Sequence, residues 1–177
     1  MNKKEDIYKV TILVFVLDQL IKYYIHKFME LNTSIKVIPN FFTILYVQNK
    51  GAAFSILENY GFLIIIISVV FLIILDYFIK KEKSFTKLSI IALGMIMGGI
   101  FGNLMDRIIY HSVIDYLSFT IFNYNFPIFN LADIGITVGV SLLIINELIK
   151  IRKDNEDDRD IQKLLPRRKG STKQKNK

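Results

Sequence analysis

Acidic residues within long apolar runs are the feature that most restricts how this chain can fold. Apolar runs of about 18 residues or more are typical of membrane spans. Four such segments are predicted, at about residues 10–26, 60–79, 88–106 and 132–149. Among the acids that lie in these segments or beside them are Asp18, Asp106, Asp115 and Asp133. Because a charge at bilayer depth costs about 3 kcal/mol or more, these acids are expected to pair, to line a wet cavity or to do chemistry.

Composition narrows the function classes. The 177 residues predict one domain, over residues 1–150, and the chain contains no Cys. Disulfides, a thiol nucleophile and a Cys-ligated metal are therefore excluded. Only His26 and His111 offer imidazole ligands, so neither a metal site nor a cofactor is predicted.

Basic residues give the chain a formal net charge of +7 and predict its orientation. With four spans, the basic residues before span one, in the link between spans two and three, and in the tail all fall on one side. Since cytoplasmic segments are rich in Lys and Arg, both termini are expected in the cytoplasm. The basic tail, residues 151–177, is predicted to be disordered and not to bind nucleic acid. Its charges have two interpretations: a topology anchor, or a segment that rests on anionic lipid heads.

Two regions are then expected on the outer face. The first, at about residues 33–58, is β-branched and aromatic and is interrupted by turn residues, which predicts a small β-sheet. The second lies between spans three and four and is predicted as a loop or helix that anchors the chain or contacts substrate, because aromatic rings favour the membrane boundary. Its aromatic residues are Tyr116, Phe119, Phe122, Tyr124, Phe126 and Phe129. The predicted fold is an all-α membrane protein with four transmembrane helices, a small extracytoplasmic β-sheet and an aromatic outer loop or helix.

Polar residues on spans one and three follow helical spacing. Asp18 and Lys22 are four residues apart and are predicted to form an ion pair on one helix face. Asn103, Asp106 and Arg107 cluster at the end of span three. Asp106 and Arg107 are predicted to form a structural charge cluster, because Arg stays charged. In the same span, glycines four residues apart predict close helix packing and no chemistry.

Asn130 and Asp133 open span four and allow two interpretations. An Asn at the N-cap with an acid three residues later resembles a capping box, which would account for both residues. Alternatively, Asp133 meets Asp115, which lies in the same outer region. Two carboxylates in contact share a proton, so one can activate water while the other polarises a carbonyl, as in an aspartic peptidase.

Five ordered blocks over about residues 10–150 resemble the lipoprotein signal peptidase (signal peptidase II) family of aspartic membrane peptidases. The blocks are Asp18-Gln19 with Lys22; Asn49-Lys50-Gly51-Ala52-Ala53-Phe54-Ser55; Gly98-Gly99 through Gly102-Asn103 to Asp106-Arg107; Val113-Ile114-Asp115-Tyr116; and Phe129-Asn130-Leu131-Ala132-Asp133. Four departures, at Ile21, Gln48, His111 and Tyr116, affect the expected local geometry and leave every carboxylate in place. The family commonly has Gly at the position of His111 and Phe at that of Tyr116.

The resemblance implies a catalytic dyad of Asp115 and Asp133 in the bacterial cytoplasmic (inner) membrane, near the outer face. It implies that other residues support the site or contact substrate: Asp18, Lys22, Asn49, Gly51, Ala52, Ala53, Phe54, Asn103, Asp106, Arg107 and Asn130. The implied substrates are prolipoproteins cut just before a diacylglyceryl-modified Cys. Globomycin-type cyclic peptides are the implied inhibitors, membrane lipids are implied partners, and a monomer is expected.

Two other functions remain open from the residues alone. In a Ser-Lys membrane peptidase, Ser55 would be the nucleophile and Lys22 or Lys50 the base. In a small transporter or scaffold, the intramembrane acids would relay protons or ions.

Overall fold

Four helices and four strands form the part of the chain that this computed structural model describes, residues 3–51 and 61–164. The helices are α1 (Lys3–Phe28), α2 (Gly61–Lys81), α3 (Lys87–Tyr110) and α4 (Leu131–Leu164). The strands are β1 (Ser34–Ile38), β2 (Phe42–Asn49), β3 (Val113–Ile121) and β4 (Tyr124–Asn125). The chain is therefore mostly helical, with a small sheet formed by segments between the helices.

Three helices are long and apolar enough to cross a membrane, judged by length and composition: Gly61–Lys81, Lys87–Tyr110 and Leu131–Glu156. They match three of the predicted spans. On α2, large apolar side chains such as Phe62 and Ile73 are 76% and 63% exposed, which suits contact with lipid tails. The first predicted span coincides with α1, which is interrupted by Asp18 and Lys22, so a fourth span remains a prediction.

The sheet is antiparallel, with strand order β1-β2-β3-β4. The predicted small sheet is confirmed in β1 and β2, its position at the outer face stays a prediction, and residues 52–58 of the predicted region lie outside the described residues. The prediction of a loop or helix for the second outer region was wrong at Val113–Ile121, which form β3. Its β-branched and aromatic residues favour a strand, and β2 offers the open edge with which it pairs. Phe122 and Asn123, both at positive φ, turn the chain into β4.

Glycines let α3 approach α1 and α4 closely, as their spacing predicts. A Cβ added at Gly94 would lie 2.5 Å from that of Val10, and one at Gly98 would lie 2.7 Å from the Thr11 carbonyl oxygen. Real side chains do not tolerate such separations, so these positions require glycine for the contact between α3 and α1. Gly99 faces the backbone of Ala132 in α4.

The chain divides into two compact units, Met1–Leu143 and Ile144–Lys177. The first unit contains the sheet and every polar residue discussed below. In the second, α4 continues to Leu164, so the disorder predicted from residue 151 was wrong over residues 151–164. Exposed pairs at helical spacing, such as Arg152 with Glu156 at 3.1 Å, favour this extension. Residues 165–177 of the predicted tail lie outside the described residues.

Candidate active site

Strand register places Asp115 beside Asn49. Asp115 pairs with Val47 across β2 and β3, and Asn49 pairs with Val113. The two side chains are thus diagonal neighbours on one face of the sheet. Asn49 donates its side-chain amide to Asp115 Oδ2 at 3.2 Å. The carboxylate is only 3% exposed, so the sheet holds an acid in a nearly dry position.

Asp133 forms the predicted capping box with Asn130. The Asp133 N–H donates to Asn130 Oδ1 at 2.9 Å, and the Asn130 N–H donates to Asp133 Oδ2 at 3.2 Å. This reciprocal pair begins α4 and places Asp133 at the positive end of its dipole, where negative charge is favoured. The second oxygen, Oδ1, accepts from Asn103 Nδ2 at 2.7 Å. A residue that only capped α4 would not need this hydrogen bond from Asn103.

Two asparagine side chains connect the acids. Asn130 Nδ2 donates to Asp115 Oδ1 at 2.7 Å and to Asn103 Oδ1 at 3.0 Å. Asn103 Nδ2 in turn holds Asp133. Asn130 is fully buried, so its amide has no competing water and its orientation is determined by these acceptors. The structure therefore brings Asp115 and Asp133, predicted to meet, to the two ends of one hydrogen-bonded chain.

The predicted ion pair of Asp18 and Lys22 is confirmed, and it is part of a larger cluster. Lys22 Nζ lies 2.8 Å from Asp18 Oδ2 and 2.9 Å from Asp106 Oδ2. Its third hydrogen bond goes to Asn103 Oδ1 at 2.9 Å. The ammonium is 2% exposed and has three donors, all of which are used here. Lys22 therefore links two buried acids to the asparagine that holds Asp133.

Asp106 and Arg107, predicted to form a charge cluster, are close enough to interact electrostatically but make no direct ion pair, because successive residues of a helix point in different directions. Asp106 faces Lys22 and also accepts the Ile114 N–H at 3.1 Å. Arg107 instead donates to the backbone oxygens of Asn103 and Gly51, each at 3.1 Å.

Gly51 is the last described residue of its predicted block. Its N–H donates to Asn49 Oδ1 at 3.0 Å, which fixes the amide that reaches Asp115. Ala52, Ala53 and Phe54, predicted to shape the substrate platform, lie outside the described residues, as does Ser55.

Two contacts that orient α4 were missed from the sequence. The Ala132 N–H donates to Asp18 Oδ1 at 2.9 Å, and the Leu131 N–H donates to the Tyr116 hydroxyl at 3.2 Å. The two accepting residues, Asp18 and Tyr116, belong to α1 and β3, so residue spacing within α4 gave no signal for either contact. Gln19 was also missed as a site residue; its amide donates to Asp106 Oδ1 at 2.9 Å and to the Gly102 oxygen at 3.2 Å. A polar side chain in an apolar helix was the available signal, since such groups require partners in lipid.

A cavity of about 290 Å³ opens between the acids. Its polar lining includes Asn49, Asn103, Arg107, Asp115 and Asp133. Burial, and then the nearby charge of Asp133, raise the pKa of Asp115 to about 7. A carboxyl group with that pKa is protonated in about half of the molecules at neutral pH, so the cavity can present one protonated and one ionised acid to a reacting group.

The chain is similar to a known protein family and to solved structures. The family model described as signal peptidase (SPase) II matches residues 10–149. A solved bacterial membrane enzyme, determined by the in meso method at 2.3 Å resolution, is 34% identical, with 92% of each chain covered and a TM-score of 0.75. A second, at 1.9 Å, is 37% identical over 78% of this chain and 90% of that chain, with a TM-score of 0.71.

The chain belongs to the signal peptidase II family.

Membership of the signal peptidase II family, whose enzymes are aspartic-type signal peptidases, implies cleavage of lipoprotein signal peptides. It also accounts for the apolar helices of a membrane-embedded protein. One departure from the family pattern has a local explanation. His111 ends α3 at φ 55°, a left-handed conformation that favours glycine, and its N–H donates to the Arg107 oxygen at 3.2 Å.

Proposed function

We propose that the chain is an aspartic endopeptidase that cuts prolipoproteins just before a Cys that carries diacylglycerol. The observation that supports this most is the shared cavity of Asp115 and Asp133, each oriented by a different asparagine. No side-chain nucleophile is required, because the acids act on water. The other predicted site residues act by holding these two acids or by contacting substrate.

The two carboxyl groups take different roles. Asp133, at the positive end of α4 and with both oxygens accepting hydrogen bonds, is the ionised base that removes a proton from water. Asp115, whose raised pKa keeps it protonated near neutral pH, donates to the oxygen of the scissile carbonyl. The water oxygen bonds to the carbonyl carbon and yields a tetrahedral diol.

Collapse of the diol completes the proton balance. The carbon–nitrogen bond breaks, and the proton held by Asp133 passes to the nitrogen of the departing chain, whose first residue is the modified Cys. One diol hydroxyl returns its proton to Asp115, so the freed signal peptide ends in a carboxyl group. Both acids recover their starting states without a cofactor.

An apolar cavity supports a lipid-modified peptide as the substrate. It measures about 410 Å³ and is lined by residues near Asp133, among them Phe126, Phe129, Ile134 and Val138. A signal peptide and its diacylglyceryl neighbour are largely apolar, so such walls are compatible with either. Inhibition by globomycin-type cyclic peptides and action as a monomer belong to the same proposal.

In this proposal α1 is a fourth span, both termini are in the cytoplasm, and the sheet lies at the outer face of the inner membrane. The support is the basic link between α2 and α3, where Lys80, Lys81, Lys83 and Lys87 follow one another closely. Since the chain has no Cys, the single substitutions Lys36→Cys and Ser84→Cys can show on which side of the membrane each position lies. An impermeant maleimide added outside intact cells is expected to label only Lys36→Cys; labelling of Ser84→Cys would reverse the orientation.

A Ser-Lys mechanism gains no support from Lys22, whose ammonium is buried and fully hydrogen-bonded to other groups. Ser55 lies outside the described residues, so its role is decided by substitution. Ser55→Ala is expected to leave cleavage largely intact, whereas a serine nucleophile requires its loss.

The deciding experiment is cleavage of a diacylglyceryl-modified prolipoprotein by the purified full chain and by Asp115→Asn and Asp133→Asn. Both variants should melt near the wild-type temperature and cut at least about a thousandfold more slowly. Asp76→Asn is the matched control, because Asp76 bonds Tyr8 and Lys80 and does not line the cavity. Near-wild-type cleavage by Asp133→Asn would reduce Asp133 to a helix cap and make Asp106 the next acid to test.

A further inference from the structure

A second cavity, of about 370 Å³, lies where the end of β2, the start of α2 and the end of α3 come together. Its lining includes Lys50, Phe62, Ile65, Arg107, Ile108 and His111. Arg107 also lines the cavity of the two acids. The second cavity is thus adjacent to the candidate active site, but neither acid lines it.

The polar part of this lining is suited to an anion. The Lys50 ammonium and the His111 imidazole have no polar partner within residues 3–51 and 61–164. Arg107 uses its two terminal nitrogens on backbone oxygens, while its Nε is buried without a partner in the described structure. None of the described lining residues is acidic. Guanidinium, ammonium and imidazole groups together form a binding surface for phosphate oxygens.

The rest of the lining is suited to hydrocarbon. Phe62 and Ile108 are 76% and 54% exposed, and they lie on α2 and α3, two helices apolar enough to cross a membrane. The cavity therefore presents cations and apolar side chains at one site. A free phosphate would use only the cations, whereas a bilayer phospholipid would use both parts.

We propose that this cavity binds an anionic phospholipid of the surrounding bilayer, with its phosphate at Lys50, Arg107 and His111 and its acyl chains along Phe62 and Ile108. The inference does not rest on the proposed cleavage reaction, since it requires only a membrane-embedded chain. The ligand is also distinct from the proposed substrate, because a diacylglyceryl group carries no phosphate.

The absence of Trp from the chain permits a direct test. Phe62→Trp places a single fluorophore at the cavity, and Phe71→Trp places a control on the same helix away from it. Each full-length variant is reconstituted into nanodiscs, and quenching is titrated with phosphatidylglycerol or phosphatidylcholine brominated on the acyl chains. Phe62→Trp should prefer phosphatidylglycerol by at least about fivefold, the effect of one cation at a membrane surface, and Phe71→Trp should show no preference.

Charge removal then separates a site from general attraction. In the Phe62→Trp background, Lys50→Gln with His111→Asn should abolish the preference; Asn is chosen because it tolerates the left-handed backbone. Lys36→Gln, which removes the same formal charge outside the cavity, should retain it. Equal quenching by both lipids, or a preference that survives the double substitution, overturns the proposal. Loss of the preference on adding inorganic phosphate at constant ionic strength also overturns it, in favour of a free phosphate.

Discussion

Asn130 donates its side-chain amide to Asn103 Oδ1 at 3.0 Å, and each asparagine holds a different acid. Asn130 reaches Asp115 at 2.7 Å, and Asn103 reaches Asp133 at 2.7 Å. The two amides bond each other and cannot be turned over separately. Turning either one would bring its carbonyl oxygen toward a carboxylate, and the two oxygens would repel each other. The two carboxylates, carried by β3 and α4, are therefore oriented as one unit.

Replacing Asn103 should remove the link between the orientation of Asp133 and that of Asp115. Asn103→Ala removes the donor to Asp133 and an acceptor of Lys22, so cleavage should fall at least tenfold, chiefly in kcat, and stability by about 1–3 kcal/mol. Steady-state kinetics and melting measure the two effects. Asn155→Ala, at an exposed position of α4 that lines neither this cavity nor the one beside it, is the control and should change neither. A shift in the acid limb of the pH profile would distinguish lost positioning of Asp133 from simple destabilisation.

The pH profile of cleavage should be bell-shaped. Activity should decline as pH rises through about 7, because Asp115 loses the proton that polarises the carbonyl. It should also decline at acid pH, because the mechanism requires the two acids to share a single proton. Initial rates from pH 4 to 9, with saturating substrate, measure the two limbs. A flat profile through the acid range contradicts the shared-proton mechanism, while Asp76→Asn should reproduce the wild-type shape.

Stability should depend on pH through the same acid. The pKa of Asp115 is about 7 in the folded chain against an ordinary 3.8, so its stabilising contribution is full below about pH 4 and lost as pH rises through 7. The free energy of unfolding should fall by up to about 4 kcal/mol over that range. Asp115→Asn should remove this part of the slope. Melting of both proteins from pH 4 to 8 provides the comparison, and parallel curves would refute the assignment.

Lys22 should be essential for folding although it is not proposed to touch substrate. Lys22→Met leaves Asp18 and Asp106 buried without a cation, which should destabilise the chain by about 3–5 kcal/mol. Lys9→Met breaks only the exposed pair with Asp6 and should have little effect. Adding Asp18→Asn and Asp106→Asn to Lys22→Met should recover part of the loss. Unfolding in mixed micelles measures each step, and no recovery would argue against charge burial as the cause.

Gly102 is where α3 meets both Asp18 and Ala132. A methyl group there would contact the Asp18 carboxylate, with the Ala132 Cβ at 3.3 Å. Gly102→Ala should therefore displace the acceptor of the Ala132 N–H, destabilise the chain by about 1–3 kcal/mol and slow cleavage at least tenfold. Gly61→Ala, with nothing within 4 Å of the added carbon, is the control and should behave as wild type. Unchanged kinetics for Gly102→Ala would contradict the coupling of Asp18 to the site.

The predictable part of the fold is the part controlled by local pattern. Uninterrupted apolar runs predicted α2, α3 and the membrane part of α4, and glycine spacing predicted the close face of α3. β3 was missed because its aromatic residues suit a membrane boundary as well as a strand. Only pairing with β2, far away in sequence, decides between them.

The same distinction applies to the candidate site. Spacing predicted the pair of Asp18 with Lys22 and the cap of Asn130 with Asp133, because both are contacts within a turn or two of helix. Spacing also suggested the wrong partner for Asp106, since Arg107 adjoins it while Lys22 approaches from another helix. Contacts between distant elements, such as the Tyr116 hydroxyl at the start of α4, leave no periodic signal.

The three donors of Lys22 bear on how the chain is made. When α1 emerges first during synthesis, Asp18 and Lys22 lie four residues apart and neutralise each other on one helix. Asp106 arrives only with α3 and finds its cation already in place. Asn103 arrives on the same helix and bonds the same ammonium. The helix translated first, α1, thus carries the positive charge that Asp106 of α3 requires. Asn103, which orients Asp133, can bond Lys22 only after α3 has packed against α1. The chain is therefore expected to orient Asp133 only once α1, α3 and α4 have packed together.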